Sequence, residues 1–401
     1  MPKPPKNISS DLKGINKITE DAINGVTNIV ESLHATIASF TPIVGNSKSK
    51  TKGLSSFIYG SIRKITNVFT QNIDAVLGKL SPIIGEQKSP KVREAIISVC
   101  NGIIGDYLAE QNNPLAINMG FRKNGQLLSN AEVKDILNNS NGKILILIHG
   151  LCMNDLHWQR QNHNHGEALA KDLGFSTLYL HYNSGKHVSE NGKQLSELLQ
   201  QLFDNKNQIT FLTHSMGGLV ARSACYYAEK DKLQWLQQLN SMIFLGTPHH
   251  GALLEKTGNW LNILLKTSPY TAPFTKIANI RSCGITDLRY GNICAEDWQN
   301  QARFDEKISH IADKRQIIPL PKNVQCYAVA SSNSKKDDSI IQDNIIGDGL
   351  VTINSALGIH SENKRNLNFP KQNIWIGRNI NHNQLLSSTQ VYKTLQKWLK
   401  N

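Results

Sequence analysis

From about Leu115 to the C-terminus, apolar residues fall in short continuous runs separated by stretches of helical period. Lys143–Ile148 reads Lys-Ile-Leu-Ile-Leu-Ile. An apolar, partly β-branched run without polar alternation marks a strand covered on both faces. Further strands are expected at Thr177–His181, Gln208–Thr213, Ser241–Leu245, Val324–Val329 and Asn373–Ile376. Between them, apolar residues return every three or four positions in His165–Leu173, Gly192–Phe203, Gly217–Glu229 and Val391–Leu399. That spacing gives helices with one buried stripe. Strand–helix alternation predicts an α/β chain with a mostly parallel sheet and helices on both faces. Residues 253–321 interrupt the alternation and are expected to form an insertion, either a lid over the site or a plain structural excursion.

Residues 1–115 obey a different rule and predict an α-helical N-terminal segment ahead of a catalytic domain at 116–401. Ile23, Val26, Ile29, Val30, Leu33, Ile37 and Phe40 recur at helical steps, as do Ile58, Ile62, Ile65, Phe69, Ile73, Val76 and Leu80. Each stretch ends in a similar phrase, Thr41-Pro-Ile-Val-Gly45 and Ser81-Pro-Ile-Ile-Gly85, which reads as a two-copy repeat. A third helix is expected from Lys91 to about Glu110, stopped by Asn112-Asn-Pro114. The apolar stripes need burial, either against each other and the catalytic domain or against a lipid surface.

Composition adds limits. The net charge of +13 over 401 residues fits either a solubilising surface or attraction to an anionic membrane surface. No nucleic-acid motif accompanies the charge, so nucleic acid is not an expected partner. The six cysteines are scattered without a CxxC pair, which favours reduced thiols and a cytoplasmic setting, with peripheral membrane attachment left open. The opening MPKPPKNISSDLKG has no apolar core of a secretory signal, and no apolar run reaches the length of a membrane span.

The chemistry concentrates at the ends of the expected strands. Thr213-His-Ser-Met-Gly-Gly218 comes directly after one strand and opens a helix. This is the setting of a nucleophile elbow, a sharp turn that exposes a serine hydroxyl, here that of Ser215. Gly217 and Gly218 supply the small residues such a turn needs; Thr213 stands where the usual pattern has its first glycine. His149-Gly150-Leu151 comes after the strand Lys143–Ile148. It is placed to offer the Leu151 N–H, with the Met216 N–H, as two donors to an oxyanion. A nucleophilic serine needs a histidine base and an orienting carboxylate, arranged along the chain in the order serine, acid, histidine. His382 lies after the last strand and before the last helix, where that base belongs. Asp348, between Gly347 and Gly349, lies beyond the strand Val324–Val329; Asp337, Asp338 and Asp343 lie in a solvated Ser/Lys/Asp stretch, and Asp287 is an outside candidate. His157, His163 and His165 cluster without a partner carboxylate or cysteine at ligand spacing, so surface or supporting roles are expected rather than a metal. Trp158, Trp260 and Tyr270 read as core or as the wall of an acyl pocket.

The phrases His149-Gly-Leu151, His214-Ser-Met-Gly-Gly218, Leu245-Gly-Thr-Pro-His-His-Gly251, Gly347-Asp-Gly-Leu-Val351 and His382 resemble bacterial lipases and esterases of the α/β-hydrolase superfamily. The run Leu245–Leu254 is also similar to GPI inositol-deacylase-like hydrolases. The resemblance spans roughly Leu115 to Asn401. It implies an α/β-hydrolase fold, a Ser215–Asp348–His382 triad and a Leu151/Met216 oxyanion hole. It further implies hydrolysis of an acyl or lipid ester through an acyl-serine, with no cofactor and no metal. Some lipases carry a calcium-binding Asp two residues after the histidine; Gln384 stands there. An acyltransferase with the same triad, or a non-catalytic helical binding protein retaining a hydrolase-like domain, are the alternative readings.

Overall fold

The computed structural model describes residues 90–204, 206–252, 282–299, 313–334 and 347–400. The two amphipathic stretches before residue 81, the expected repeat, most of the insertion 253–321, Trp260 and Tyr270 lie outside the described residues.

The helix α1 (Pro90–Glu110) opens on a proline, whose missing N–H costs nothing in a first turn. From Ser98 onward the chain belongs to one compact unit, Ser98–Gly258 with Ser282–Asn401. The second half of α1 is tied to the segment after it: the Asn101 amide donates to the Leu115 carbonyl (2.7 Å) and accepts from Ile117 N (2.9 Å). A hairpin, β1 (Gly120–Lys123) and β2 (Gln126–Leu127), precedes α2 (Asn130–Asn138). Then come β3 (Lys143–Ile148), α3 (His165–Leu173), β4 (Ser176–His181) and α4 (Val188–Leu202). Next are β5 (Gln208–His214), α5 (Met216–Lys230) and β6 (Leu239–Leu245). Beyond the insertion's start lie α6 (Cys283–Tyr290), β7 (Gln325–Ser332), α7 (Ile353–Ala356), β8 (Ile374–Arg378) and α8 (Thr389–Leu399).

The strands form one sheet in the order β2-β1-β4-β3-β5-β6-β7-β8. The β1 strand runs antiparallel to β2 and β4; every pair from β4–β3 to β7–β8 is parallel. Leu145, Leu147, Leu212, Ile243, Leu245 and Val329 share a core with Leu169 of α3 and Val391 and Leu395 of α8. Phe211, on the alternate face of β5, meets the Trp235 ring, and the Trp235 indole N–H reaches Ser196 of α4 (3.1 Å). With helices on both sides, no face of β3 or β5 is left for polar alternation, and this is why those segments read as unbroken apolar runs. A strand order of this kind with its antiparallel leading hairpin is the α/β-hydrolase fold.

The hydrophobic pattern locates every strand from β3 to β8 and misses β1 and β2. Both are short: β2 lies at the sheet edge with Leu127 exposed, and β1 carries one buried apolar residue, Phe121, too little to register as a run. It also misses α2, although Ser129 and Glu132 form a capping box there.

The close fit of α5 to β3 positions everything above the sheet. A Cβ on Gly217 would lie 2.3 Å from the Ile148 carbonyl oxygen and 2.6 Å from that of His149. Both are backbone atoms that cannot rotate away. Gly217→Ala is therefore expected to lower unfolding stability by about 2–3 kcal/mol, the upper part of the overpacking range, as read from urea midpoints.

Candidate active site

The elbow is built from the end of β5. Its last strand residue, His214, pairs with Leu245 of β6, and the Ser215 amide then donates to the Leu245 carbonyl (2.9 Å). Ser215 adopts φ 53° and ψ −125°, backbone angles that an L-residue visits at a cost of about 1–3 kcal/mol. The strain lifts the Ser215 side chain out of the strand and lets Met216 begin α5. Thr213, which replaces the usual glycine, is accommodated because its hydroxyl donates to the Ile243 carbonyl of the neighbouring strand (3.0 Å). Gly218 lies against Thr247, at 2.1 Å from Oγ1 for a built Cβ.

The loop after β3 meets the elbow from the side. A Cβ on Gly150 would sit 3.0 Å from Ser215 Cβ, so the glycine permits close approach. The left-handed residue of this loop is Cys152, at φ 60°. Cys152 is pinned by its N–H to Ser184 Oγ (3.1 Å), and Met153 N–H reaches the Gly150 carbonyl (3.3 Å). His149 stacks on Tyr182 with ring centroids 4.3 Å apart, its Nδ1–H donates to the Gly150 carbonyl (2.8 Å), and the Tyr182 hydroxyl donates to the His149 carbonyl (2.7 Å). Between these anchors the Leu151 N–H has no hydrogen-bond partner among the described residues, and neither has the Met216 N–H at the start of α5. Two unpaired donors flank Ser215.

Asp348 and His382 meet from the ends of β7 and β8. The His382 Nδ1–H donates to Asp348 Oδ2 at 2.7 Å, with both side chains buried. The second carboxylate oxygen accepts from the Leu350 and Val351 amides (3.0 and 2.8 Å), so both oxygens are held. The positive φ of Gly347 and Gly349 curls the chain into that turn. His382 N–H adds a bond to the Asp348 carbonyl (3.1 Å). His382 Nε2 is buried and has no partner, so it is not hydrogen bonded to Ser215 Oγ in this structure.

Two histidines support the turn that carries His382: His165, for which a surface or supporting role is expected, and His214, which the sequence leaves without a role. His214 Nε2–H donates to the His382 carbonyl (3.1 Å), and His165 Nε2–H donates to the Leu385 carbonyl (2.9 Å). His163 Nε2 in turn bonds His165 Nδ1 (2.7 Å). His165 is fully buried, so of the two expected roles it takes the supporting one: it braces the short turn that carries His382. His157 caps a turn through Asn154. Among the described residues no cluster of ligating side chains could hold a metal ion. Trp158 belongs to the core. Asp287 lies elsewhere: it accepts from His187 Nδ1 (2.9 Å), Val188 N (2.8 Å) and Asn292 (2.8 Å), away from His382.

Burial holds several of these imidazoles neutral, moving His149 down to about 3 and His165 and His157 down to about 4. In the unfolded chain they titrate near 6.5. Below that pH the unfolded state binds more protons, so stability is full above about pH 6.5 and lost as the pH falls toward 4. Each group is expected to cost on the order of 2 kcal/mol by about pH 5. A urea midpoint unchanged between pH 7 and 5 would contradict this.

The strain at Ser215 gives a second expectation. Ser215→Gly should unfold at higher urea than Ser215→Ala, by about 1 kcal/mol, because glycine accepts the elbow's φ.

A family described as "Domain of unknown function (DUF7379)" matches residues 115–280. No curated protein matches the chain. Among solved structures, the chain is similar to the mature lipase BlEst2 of Bacillus licheniformis. The identity is 17% and the TM-score 0.43, over 65% of this chain and 93% of that one. It is also similar to the lin2722 gene product of Listeria innocua, at 16% identity and TM-score 0.37, over 65% and 95%. A third similar structure is a metagenomic carboxyl esterase, MGS0156, at 12% identity and TM-score 0.32, over 64% and 76%. At these identities and scores neither substrate nor mechanism transfers, and the fold rests on the strand order itself.

Proposed function

We propose that the chain is a serine hydrolase that cleaves carboxylic acyl esters through an acyl-Ser215 intermediate. The observation that carries this reading is His382. Its Nδ1–H is held by a doubly anchored Asp348 while its Nε2, buried next to the elbow, has no partner. A neutral imidazole so held presents a lone pair on Nε2 and nothing else for it to bond. It takes the Ser215 proton as Oγ attacks the ester carbonyl, and Asp348 stabilises the imidazolium that forms. The oxyanion of the tetrahedral intermediate accepts from the Leu151 and Met216 amides, each worth about 3–4 kcal/mol in such sites. The imidazolium then protonates the leaving alcohol. Water, deprotonated by the same nitrogen, releases the acid and regenerates Ser215. Contact between Oγ and Nε2 tightens when substrate fills the site, as catalytic hydrogen bonds commonly do.

These roles set the expected outcomes. Ser215→Ala abolishes turnover of p-nitrophenyl esters and labelling by a fluorophosphonate, with the fold retained. In Asp348→Asn the amide oxygen takes the Leu350 and Val351 bonds, so the NH₂ faces His382 and forces the wrong tautomer. The loss in turnover is expected to be roughly 10⁴-fold, as in the serine-protease template. Asp287→Asn should cost far less in turnover. A larger loss there, or near-wild-type rates in Ser215→Ala, would overturn the assignment.

A further inference from the structure

A second polar site lies beyond the loop after β6, in a partly open cavity whose lining contains none of Ser215, Asp348 or His382. Arg222, Arg315, Lys364, Arg365, His249 and His250 contribute to its wall. Arg222 projects from α5 and is buried. Its Nη2 donates to the Ile318 carbonyl (2.6 Å) and its Nη1 to His249 Nδ1 (3.4 Å), but its Nε–H has no acceptor. Accepting at Nδ1 places the His249 proton on Nε2, and that buried N–H also has no acceptor. Two fully buried donors beside the cavity therefore lack partners, at a cost of about 1–3 kcal/mol each.

The charges do not balance either. Asp313 chelates the Arg315 guanidinium (2.6 to 3.2 Å) and lies 3.8 Å from Arg365. Glu362 meets Arg365 (3.4 Å) and Lys364 (3.2 Å). Among the described residues four cations thus meet three carboxylates, the third being the buried Asp297, whose charge acts on Arg222 without a direct ion pair. Burial, and then the Arg315 charge, push the Arg222 guanidinium down to about 10. An isolated buried cation is among the least favourable groups in a protein unless an anion joins it.

We propose that this cavity binds a dianion of the phosphate class, held among the cationic side chains of Arg222, Arg315, Arg365 and Lys364 that line it. Such a group offers several acceptor oxygens to a converging set of donors and supplies the negative charge the wall lacks. The phosphate can be free or can belong to a phosphorylated ester. The cavity's binding does not rest on the triad.

Titration of inorganic phosphate into the full chain, in chloride buffer near neutral pH, tests this by calorimetry and by thermal shift. One saturable site and a midpoint that climbs with phosphate are expected. Lys364 is exposed and its replacement leaves the core intact. Lys364→Glu should weaken binding by roughly tenfold and Arg222→Met by roughly a hundredfold or more. If Arg222→Met does not fold, the Lys364→Glu titration decides alone. Ser215→Ala should bind phosphate as the wild type does, which keeps the outcome separate from that of the hydrolase assignment. Inhibition by phosphate confined to esters bearing a phosphate assigns the group to the substrate. Saturable binding with no effect on either kind of ester assigns it to a free ligand; either supports the site. No saturable binding up to about 20 mM phosphate, or equal affinity in Lys364→Glu, overturns it.

Discussion

The structure depends on the contact between the first turn of α5 and the end of β3. Gly217 sits under the Ile148 and His149 carbonyls with no room for a methyl group. That approach forces the chain to leave β5 abruptly, and the abrupt exit is what places Ser215 at φ 53°. It also brings the loop after β3 against the elbow, with Gly150 facing Ser215. The Leu151 and Met216 amides come to flank the same serine because their two elements are held at backbone contact. Strain at one residue is tolerated because the parallel strands on both sides are buried and paired along their length.

The histidine side of the site is held differently. The turn carrying His382 lies after β8, the last strand of the sheet, and has few strand neighbours to fix it. Neutral imidazoles supply that constraint from underneath: His214 bonds the His382 carbonyl and His165 bonds the Leu385 carbonyl. Each uses an N–H on a backbone acceptor, so each must stay in one tautomer, and burial keeps each uncharged. Protonating either would place a charge in the core beside His382.

How much of this is readable in the sequence depends on the range of the interactions. Strands β3 to β7 are legible because burial on both faces writes a local apolar run, and the edge strand β8 is legible from its short apolar Ile374-Trp-Ile376. The elbow is legible because glycine and serine at fixed spacing meet a local steric demand. Asp348 is legible as a carboxylate between two glycines. The edge hairpin is not, since an exposed Gln126-Leu127 carries no hydrophobic signature. The role of His165 is not legible either. Its partner is Leu385, 220 residues on, and nothing in the spacing of His157, His163 and His165 distinguishes a brace from a surface cluster. For α2 a local signal does exist: Ser129 and Glu132 are a capping box ahead of a short apolar stripe, Val133 and Leu137, and only the brevity of that stripe hides the helix.

One short helix links the acid to the cationic cavity. The Asp348 carboxylate is held by Val351 N–H, and Thr352 then caps α7 by accepting from Ser355 N (3.2 Å). Ser355 in turn accepts from His249 N at its carbonyl (3.1 Å) and from His250 N at its hydroxyl (3.2 Å), and donates to the Gly251 carbonyl (2.7 Å). The residues that orient the acid and the residues that wall the cavity are therefore braced by the same four-residue element. Its backbone has little freedom, since Thr352, Ile353, Ser355 and Ala356 are all buried. Coupling between two sites needs an element with two arrangements that both sites bias. A helix this short, capped at its start and bonded through Ser355 to the loop after β6, shows one. The geometry therefore favours independence: an anion in the cavity would settle the wall around Arg222 and His249 and leave the 2.7 Å contact of Asp348 with His382 as it stands.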